Sequence, residues 1–165
     1  MKKLLVLLII LTSGFCTTNA QSGFNVEVHG AIPGGDSDVN GNFGISDLYT
    51  LNLGLDVGYL TGEGDGLRYG GTVSYSRFLL DSDFEGDDLS YIELKATGEY
   101  DFTEQFYGSA SLGYALAAEG DQDGGLVWMP AIGVKFDMLK VYGYYKSISD
   151  DFTIASYGVG VSYRF

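Results

Sequence analysis

The chain has 165 residues, a formal net charge of −13 at pH 7, 25 glycines and only two prolines. Its length suits a single domain, and its acidity argues against a nucleic-acid partner, because polyanions are bound by basic surfaces. With one cysteine, it cannot form an internal disulfide. The composition thus indicates an acidic, glycine-rich domain held together by packing and hydrogen bonds.

The first 20 residues have the layout of a secretory signal peptide. Two lysines precede an apolar run over residues 4–11, and the segment closes on a small-x-small pattern. We predict cleavage between Ala20 and Gln21, which leaves residues 21–165 as the mature domain. The apolar run is too short for a transmembrane helix, which needs about 20 apolar residues. Lipidation at Cys16 is disfavoured because the preceding Phe15 is large.

Beyond residue 20, apolar residues recur with a period of two almost everywhere, which is typical of β-strands. No segment shows a helical period or a capping box. Pro130 lies inside one of the segments, where it would remove a ladder hydrogen bond or mark a bulge. The eight predicted strands cover residues 24–32, 48–60, 67–79, 91–102, 106–118, 126–136, 139–147 and 154–165.

The connections between these segments alternate in character. Acidic connections follow the first, third, fifth and seventh segments, and the first of them is long. The connections TGEGDG, TEQ and DM lie between the others. With an even number of antiparallel strands, the two sets emerge at opposite ends. This layout is typical of an outer-membrane barrel with short periplasmic turns and longer external loops.

The polar face of the segments is rich in glycine, serine and threonine, whereas a water-facing sheet would carry many long charged side chains. Nearly every strand charge falls on this face, and Arg77 is the exception. We therefore predict that this face lines a narrow lumen, which eight strands leave just wide enough for side chains to fill. Unpaired buried charge is costly, so we expect a network of salt bridges there. The predicted network comprises Glu27, His29, Asp56, Arg68, Glu93, Lys95, Glu99, Lys135, Lys140, Lys146 and Arg164.

The opposite face is apolar, and its aromatic residues gather towards both ends of the strands. Aromatic rings settle at the two interfaces of a membrane, so these residues predict two girdles around a lipid-facing surface. The predicted periplasmic girdle comprises Phe24, Tyr59, Tyr69, Phe102, Phe106, Phe136, Tyr163 and Phe165. The predicted external girdle comprises Tyr49, Tyr75, Tyr114, Trp128, Tyr145 and Tyr157.

The last segment carries the most specific pattern, an alternation that ends on an aromatic residue: Tyr157, Val159, Val161, Tyr163 and Phe165. Together with the signal peptide and the eight alternating segments, it resembles the small eight-stranded outer-membrane barrels of Gram-negative bacteria. These are the OmpX-like and OmpA-transmembrane-domain type, and the resemblance covers the whole mature chain in layout. In that family, the outer-membrane assembly machinery reads a C-terminal strand that ends in an aromatic residue.

The resemblance implies an all-β, antiparallel, up-and-down transmembrane β-barrel in the cell outer membrane. It also implies a monomer that contacts membrane lipids and lipopolysaccharide, with no cofactor. The expected function is structural or at the cell surface, without enzymatic activity. Three alternatives remain open: a narrow porin-like channel, a lipid-modifying enzyme, and a secreted, soluble lipocalin-like barrel.

Two features of the sequence are candidate sites of chemistry. His29 is the single histidine, so a histidine-based metal cluster is excluded, and no HxS-type serine partner lies beside it for hydrolase chemistry. The stretch DSDFEGDD partly matches a calcium loop, but Glu85 and Ile92 depart from the EF-hand pattern. We predict no catalytic and no metal-binding residues, and we leave calcium binding by the acidic loops open.

Overall fold

The computed structural model describes residues 23–34, 48–62, 66–84, 86–119, 124–149 and 153–165. These ranges contain eight β-strands: β1 (Gly23–Gly34), β2 (Tyr49–Thr61), β3 (Leu67–Leu80), β4 (Leu89–Asp101), β5 (Phe106–Ala117), β6 (Gly125–Phe136), β7 (Leu139–Ser149) and β8 (Thr153–Arg164). Each predicted segment corresponds to one strand, and its ends differ by at most two residues. The predicted cleavage site at Ala20 and Gln21 lies outside the described residues.

The eight strands close into one barrel. Each strand pairs antiparallel with its neighbours in the chain, and β1 pairs with β8 to complete the circle. The predicted all-β, up-and-down antiparallel barrel is confirmed. Closure leaves no strand with an unpaired edge, which removes the usual route to edge-to-edge aggregation. Among the described residues, no helix is long and apolar enough to cross a membrane.

The seven connections divide between the two ends of the barrel. Residues 35–48, 81–88, 118–124 and 150–152 connect the strands at one end, here named the loop end. Residues 62–66, 102–105 and 137–138 connect them at the other, here named the turn end. The tight turn after β6 places Asp137 in the left-handed region, with a φ of 51°, which Asp tolerates better than most residues. Asp137 and Met138 thus form a two-residue hairpin loop, a common connection between antiparallel strands.

Two local irregularities interrupt the ladders. The β2–β3 register shifts between Tyr49 and Leu51, so Tyr49 points into the lumen and is buried, whereas Thr50 is exposed. The prediction that Tyr49 belongs to the external girdle was wrong, because a shift of one residue moves a side chain to the opposite face. At Pro130, which lacks the donor, the β6–β7 ladder is interrupted and resumes in the same register, without a bulge.

The outer surface of the barrel is predominantly apolar. Large hydrophobic side chains are exposed on every strand, and the other predicted girdle residues lie on this outer face. A contiguous apolar surface of this kind is unusual for a water-soluble monomer. At the loop end, the rings of Trp128, Tyr145 and Tyr157 form a ladder, with centroid separations of 5.3 and 5.0 Å. This surface is suited to contact with hydrocarbon between two aromatic bands.

Candidate functional site

The structure places all eleven predicted lumen residues on inward-facing strand positions. Eight of them are buried: His29, Asp56, Arg68, Glu93, Lys95, Glu99, Lys140 and Lys146. The other three, Glu27, Lys135 and Arg164, are partly buried. The contacts between these side chains form two groups. We name them the central network, around Glu93, and the turn-end network, around Glu99.

The central network is built on the fully buried carboxylate of Glu93. Its Oε1 accepts hydrogen bonds from Nζ of Lys146 at 3.0 Å and from the hydroxyl of Ser76 at 2.7 Å. Its Oε2 accepts a hydrogen bond from Nζ of Lys95 at 2.9 Å. These groups come from β3, β4 and β7, so the network spans the lumen. One carboxylate therefore compensates two buried ammonium groups.

His29 extends the central network towards β1. Its Nε2 lies 3.1 Å from Oδ1 of Asp56, and its Nδ1 lies 2.8 Å from the hydroxyl of Tyr144. In the neutral form of the ring, Nε2 carries the hydrogen because a carboxylate only accepts, and Nδ1 accepts from Tyr144. The second carboxylate oxygen of Asp56 lies 3.2 Å from Nζ of Lys95. His29 is thus held on both sides within the lumen.

The turn-end network joins side chains from the turn-end parts of four strands, β3, β4, β6 and β7. Arg68 donates to Glu99 from Nε at 2.9 Å and to Asp101 from Nη2 at 2.6 Å. Nζ of Lys140 lies 2.6 and 2.5 Å from the two carboxylate oxygens of Glu99. Nζ of Lys135 lies 2.6 Å from Oδ2 of Asp101. Each of these carboxylates therefore bridges two cations.

A small cavity lies on the turn-end side of the central network. Its volume is ≈ 30 Å³, and Glu27, Thr72, Ser109, Lys140 and Tyr142 contribute to its walls. A water molecule needs roughly 10–15 Å³ of such volume and two to four polar partners. The cavity has room for about two water molecules beside these polar groups, and Leu60, Met129 and Ala131 also line it.

The loop-end half of the lumen is filled by apolar side chains, which we name the apolar plug. Seven of the eight strands contribute to it, and Phe78 and Val127 have no exposed surface. Several members face one another directly across the ladders, such as Val127 with Ile148 and Ile148 with Ile154. The plug comprises Tyr49, Phe78, Leu89, Tyr91, Ala115, Val127, Ile148 and Ile154.

The plug and Tyr144 were not predicted from the sequence, and Asp101 was predicted on the inward parity but not as a member of the network. A signal was present, because Tyr91 and Asp101 have the same parity as Glu93 on β4. Tyr144 likewise shares the parity of Lys140 and Lys146 on β7. Tyr91 and Tyr144 were not predicted as lumen residues because the inward face was expected to be polar and aromatic residues were assigned to the membrane interfaces. Asp101 lies at the end of β4, on the inward parity, and was not included in the predicted network.

Inward-facing glycines make room for the large lumen side chains. A methyl group at Gly54 would lie 2.1 Å from Cε1 of His29, and one at Gly160 would lie 2.3 Å from Cζ of Tyr142. Because these contacts are far shorter than van der Waals separations, any side chain there would displace the ring. The glycine content of the strands thus reflects packing inside a narrow barrel.

We expect Gly54→Ala to destabilise the barrel by roughly 1–3 kcal/mol, the usual cost of overpacking a core. Gly98→Ala is the matched control, since a methyl group there meets nothing within 4 Å. Denaturant unfolding of both variants in lipid vesicles would measure the difference. Equal stability of the two variants would show that His29 moves aside without cost.

Arg77, the one strand charge on the apolar face, is paired at the loop end. Its Nε and Nη2 each lie 2.8 Å from Oδ2 of Asp88, and Oδ1 of Asp88 accepts from the backbone N–H of Leu80 at 2.9 Å. The hydrogen bond from Leu80, together with Arg77, holds the pKa of Asp88 below its ordinary value. The contribution of this contact to stability is therefore fully present above the unfolded-state pKa of the Asp88 carboxyl. It is lost as the pH falls through the lowered folded-state pKa.

We expect the amide resonance of Leu80 to titrate in detergent micelles with a midpoint below about 3.9, the ordinary aspartate value. Asp88→Ala should abolish that transition. A midpoint above the ordinary value would contradict the assignment of this carboxylate to the Arg77 and Leu80 contacts.

The residues of the predicted assembly signal lie on the outer face of β8 and at the residue that follows it. Tyr157, Val159, Val161, Tyr163 and Phe165 are all exposed. Tyr163 and Phe165 stack edge to face at the turn end, with ring centroids 4.9 Å apart.

Among the described residues, no group of three His, Cys, Asp or Glu side chains is placed to bind a metal ion.

The closed sheet and its exposed apolar surface define an eight-stranded barrel of the transmembrane type. Solved outer-membrane proteins share this fold. The outer membrane enzyme PagL superposes with a TM-score of 0.60 at 15% identity, covering 86% of this chain and 99% of that protein. The Yersinia pestis outer membrane protein Ail gives 0.55 at 15% identity, covering 87% and 99%. Neisserial surface protein A gives 0.53 at 18% identity, covering 87% and 99%.

At these identities the likeness concerns the fold. No family model matches the sequence, and no curated protein matches it either. The chain has the fold of the small eight-stranded outer-membrane barrels that its sequence resembles, in agreement with an outer-membrane location.

Proposed function

We propose that this protein is an integral outer-membrane barrel with a structural or cell-surface role, without enzymatic activity and with a lumen blocked by its own side chains. One observation carries the proposal: the two ion-pair networks and the apolar plug fill the interior. The cavity of ≈ 30 Å³ is far smaller than a continuous aqueous pathway requires. The exposed apolar surface supports a position in lipid.

The proposed partners follow from the two surfaces of the barrel. Membrane lipids would cover the apolar surface, and lipopolysaccharide would surround its loop end. The exposed alternation on β8 would be read by the barrel-assembly machinery during insertion. Because a closed sheet offers no edge for pairing with a second copy, we propose a monomer.

The likeness to the outer membrane enzyme PagL suggests an alternative function, that of a lipid-modifying enzyme. His29 argues against it for this chain. The ring is buried in the lumen, and its two nitrogens contact Tyr144 and Asp56. A hydrolase acting on membrane lipid needs its histidine beside a nucleophile that the lipid can reach.

The proposal is tested in two steps with the full-length protein. We expect the protein in the outer-membrane fraction, with gel migration that changes on boiling, as a folded barrel shows. Purified protein in planar lipid bilayers should give no single-channel current steps. Recovery in the soluble fraction would remove the membrane assignment, and regular current steps would favour the porin-like channel.

A further inference from the structure

We propose that the apolar plug, rather than the ion-pair networks, is the permeability barrier of this barrel, and that it excludes small hydrated ions. The inference rests on the proposed function, because it takes the barrel to span a membrane with a blocked lumen. It assigns the blocking to particular residues near the loop end.

The plug gathers side chains from seven of the eight strands into one contacting cluster. Its members come from β2 to β8, and neighbouring members oppose one another in the ladders, including Phe78 with Leu89 and Val127 with Ile148. Phe78, Ala115 and Val127 have no exposed surface. An ion moving along the lumen would therefore have to pass between predominantly apolar side chains, among which Tyr49 and Tyr91 carry hydroxyl groups.

The turn-end half differs in chemistry. It contains the cavity of ≈ 30 Å³ and a ladder of hydroxyl groups in which Thr97 Oγ1 lies 3.0 Å from Thr72 Oγ1 and 2.9 Å from Ser111 Oγ. These groups, together with carboxylates and ammonium groups, can replace part of the hydration shell of an ion. Salt bridges can also exchange partners with a passing ion. The turn-end half can therefore hold water beside its charged and hydroxyl groups.

The boundary between the two halves lies at Lys146 and Phe78. Nζ of Lys146 is 5.6 Å from the ring centroid of Phe78, while it donates to Glu93 on its other side. Beyond this ring, the described lumen offers the apolar surface of the plug. Narrow apolar constrictions exclude ions because water leaves them and an unhydrated ion is strongly disfavoured there.

Planar-bilayer recordings on four variants of the full chain test this assignment. We expect Phe78→Ala and Val127→Ser to give current steps, because each removes apolar volume from the plug. Phe106→Ala, which truncates an exposed phenylalanine on the outer face, should remain silent. Glu93→Gln, which weakens the central network and leaves the plug intact, should also remain silent.

The outcomes separate this inference from the proposed function. Current steps in the unmodified protein would overturn the blocked lumen itself. A silent unmodified protein with silent Phe78→Ala and Val127→Ser variants, each folded by gel migration, would overturn only the role of the plug. Steps in Glu93→Gln alone would assign the barrier to the central network.

A second measurement uses single cysteine variants that truncate no plug side chain, so it does not depend on tolerance of a truncated plug. Ser109→Cys in the cavity wall and Ala115→Cys in the plug are placed separately in a Cys16→Ser background. Silver ions are small enough to enter where organic thiol reagents are excluded. We expect silver to modify the thiol at 109 much faster than the thiol at 115. Equal rates would overturn the proposal, because they would show that hydrated ions reach the plug interior.

Discussion

Glu93→Leu is expected to destabilise the barrel by about 3–5 kcal/mol, the cost of leaving buried charges without their partner. Glu93 has no exposed surface and accepts from both Lys95 and Lys146. Lys95 keeps its contact with Asp56, whereas Lys146 loses the carboxylate on which its compensation depends. The two ammonium groups would then repel each other in a region that water reaches poorly.

Urea unfolding in lipid vesicles, followed by the fluorescence of the single tryptophan Trp128, measures this effect. Arg77→Gln is the control, since the side chain of Arg77 is 48% exposed and exposed ion pairs contribute about 0–1 kcal/mol. A double variant, Glu93→Leu with Lys146→Met, should recover part of the loss because both partners of one pair are replaced by apolar groups. A single variant no less stable than the control would contradict the network.

Leu94→Arg should cost roughly 2–4 kcal/mol in a bilayer, whereas Leu126→Arg should cost about 0–1 kcal/mol. Both leucines are 53% exposed on the outer face. Leu94 lies in the middle of β4, and Leu126 lies at the loop end of β6. In hydrocarbon the cost of a guanidinium group depends on depth, so equal exposure should give unequal effects.

The matched pair discriminates a membrane barrel from a soluble one. In water, two half-exposed leucines replaced by arginine would change stability by similar, small amounts. Folding yield in lipid vesicles, scored by the gel shift on boiling, should fall for Leu94→Arg and stay near the unmodified level for Leu126→Arg. Similar yields for the two variants would argue that the outer face does not meet hydrocarbon.

The strands themselves could be read from the chain with little error. Alternation persists through every segment because each strand has one face in the lumen and one on the outer surface, and a period of two records that difference directly. β4 begins two residues earlier than predicted, because Leu89 and Ser90 continue the ladder opposite Phe78 and Arg77. Strand ends depend on pairing with a neighbour, which local sequence does not specify.

Parity also placed the lumen charges on the inward face, because a charge on the outer face would be costly in lipid. It did not indicate their partners. Lys95 contacts Asp56 on β2 and Glu93 two residues away on its own strand, and Lys146 reaches Glu93 from β7. Which charges meet depends on the relative heights of strands around the barrel, and closure with its stagger sets those heights.

The sequence by itself determined the number of strands, their alternation, the inward position of the charges and the apolar outer surface. The reason is that each of these follows from a local pattern along one strand. The tertiary structure alone decided the inward turn of Tyr49, the separation into two ion-pair networks, and the assembly of Phe78, Val127 and Ile148 into a plug across the lumen. Those features depend on which residues of different strands come to the same level, and only the closed barrel establishes that.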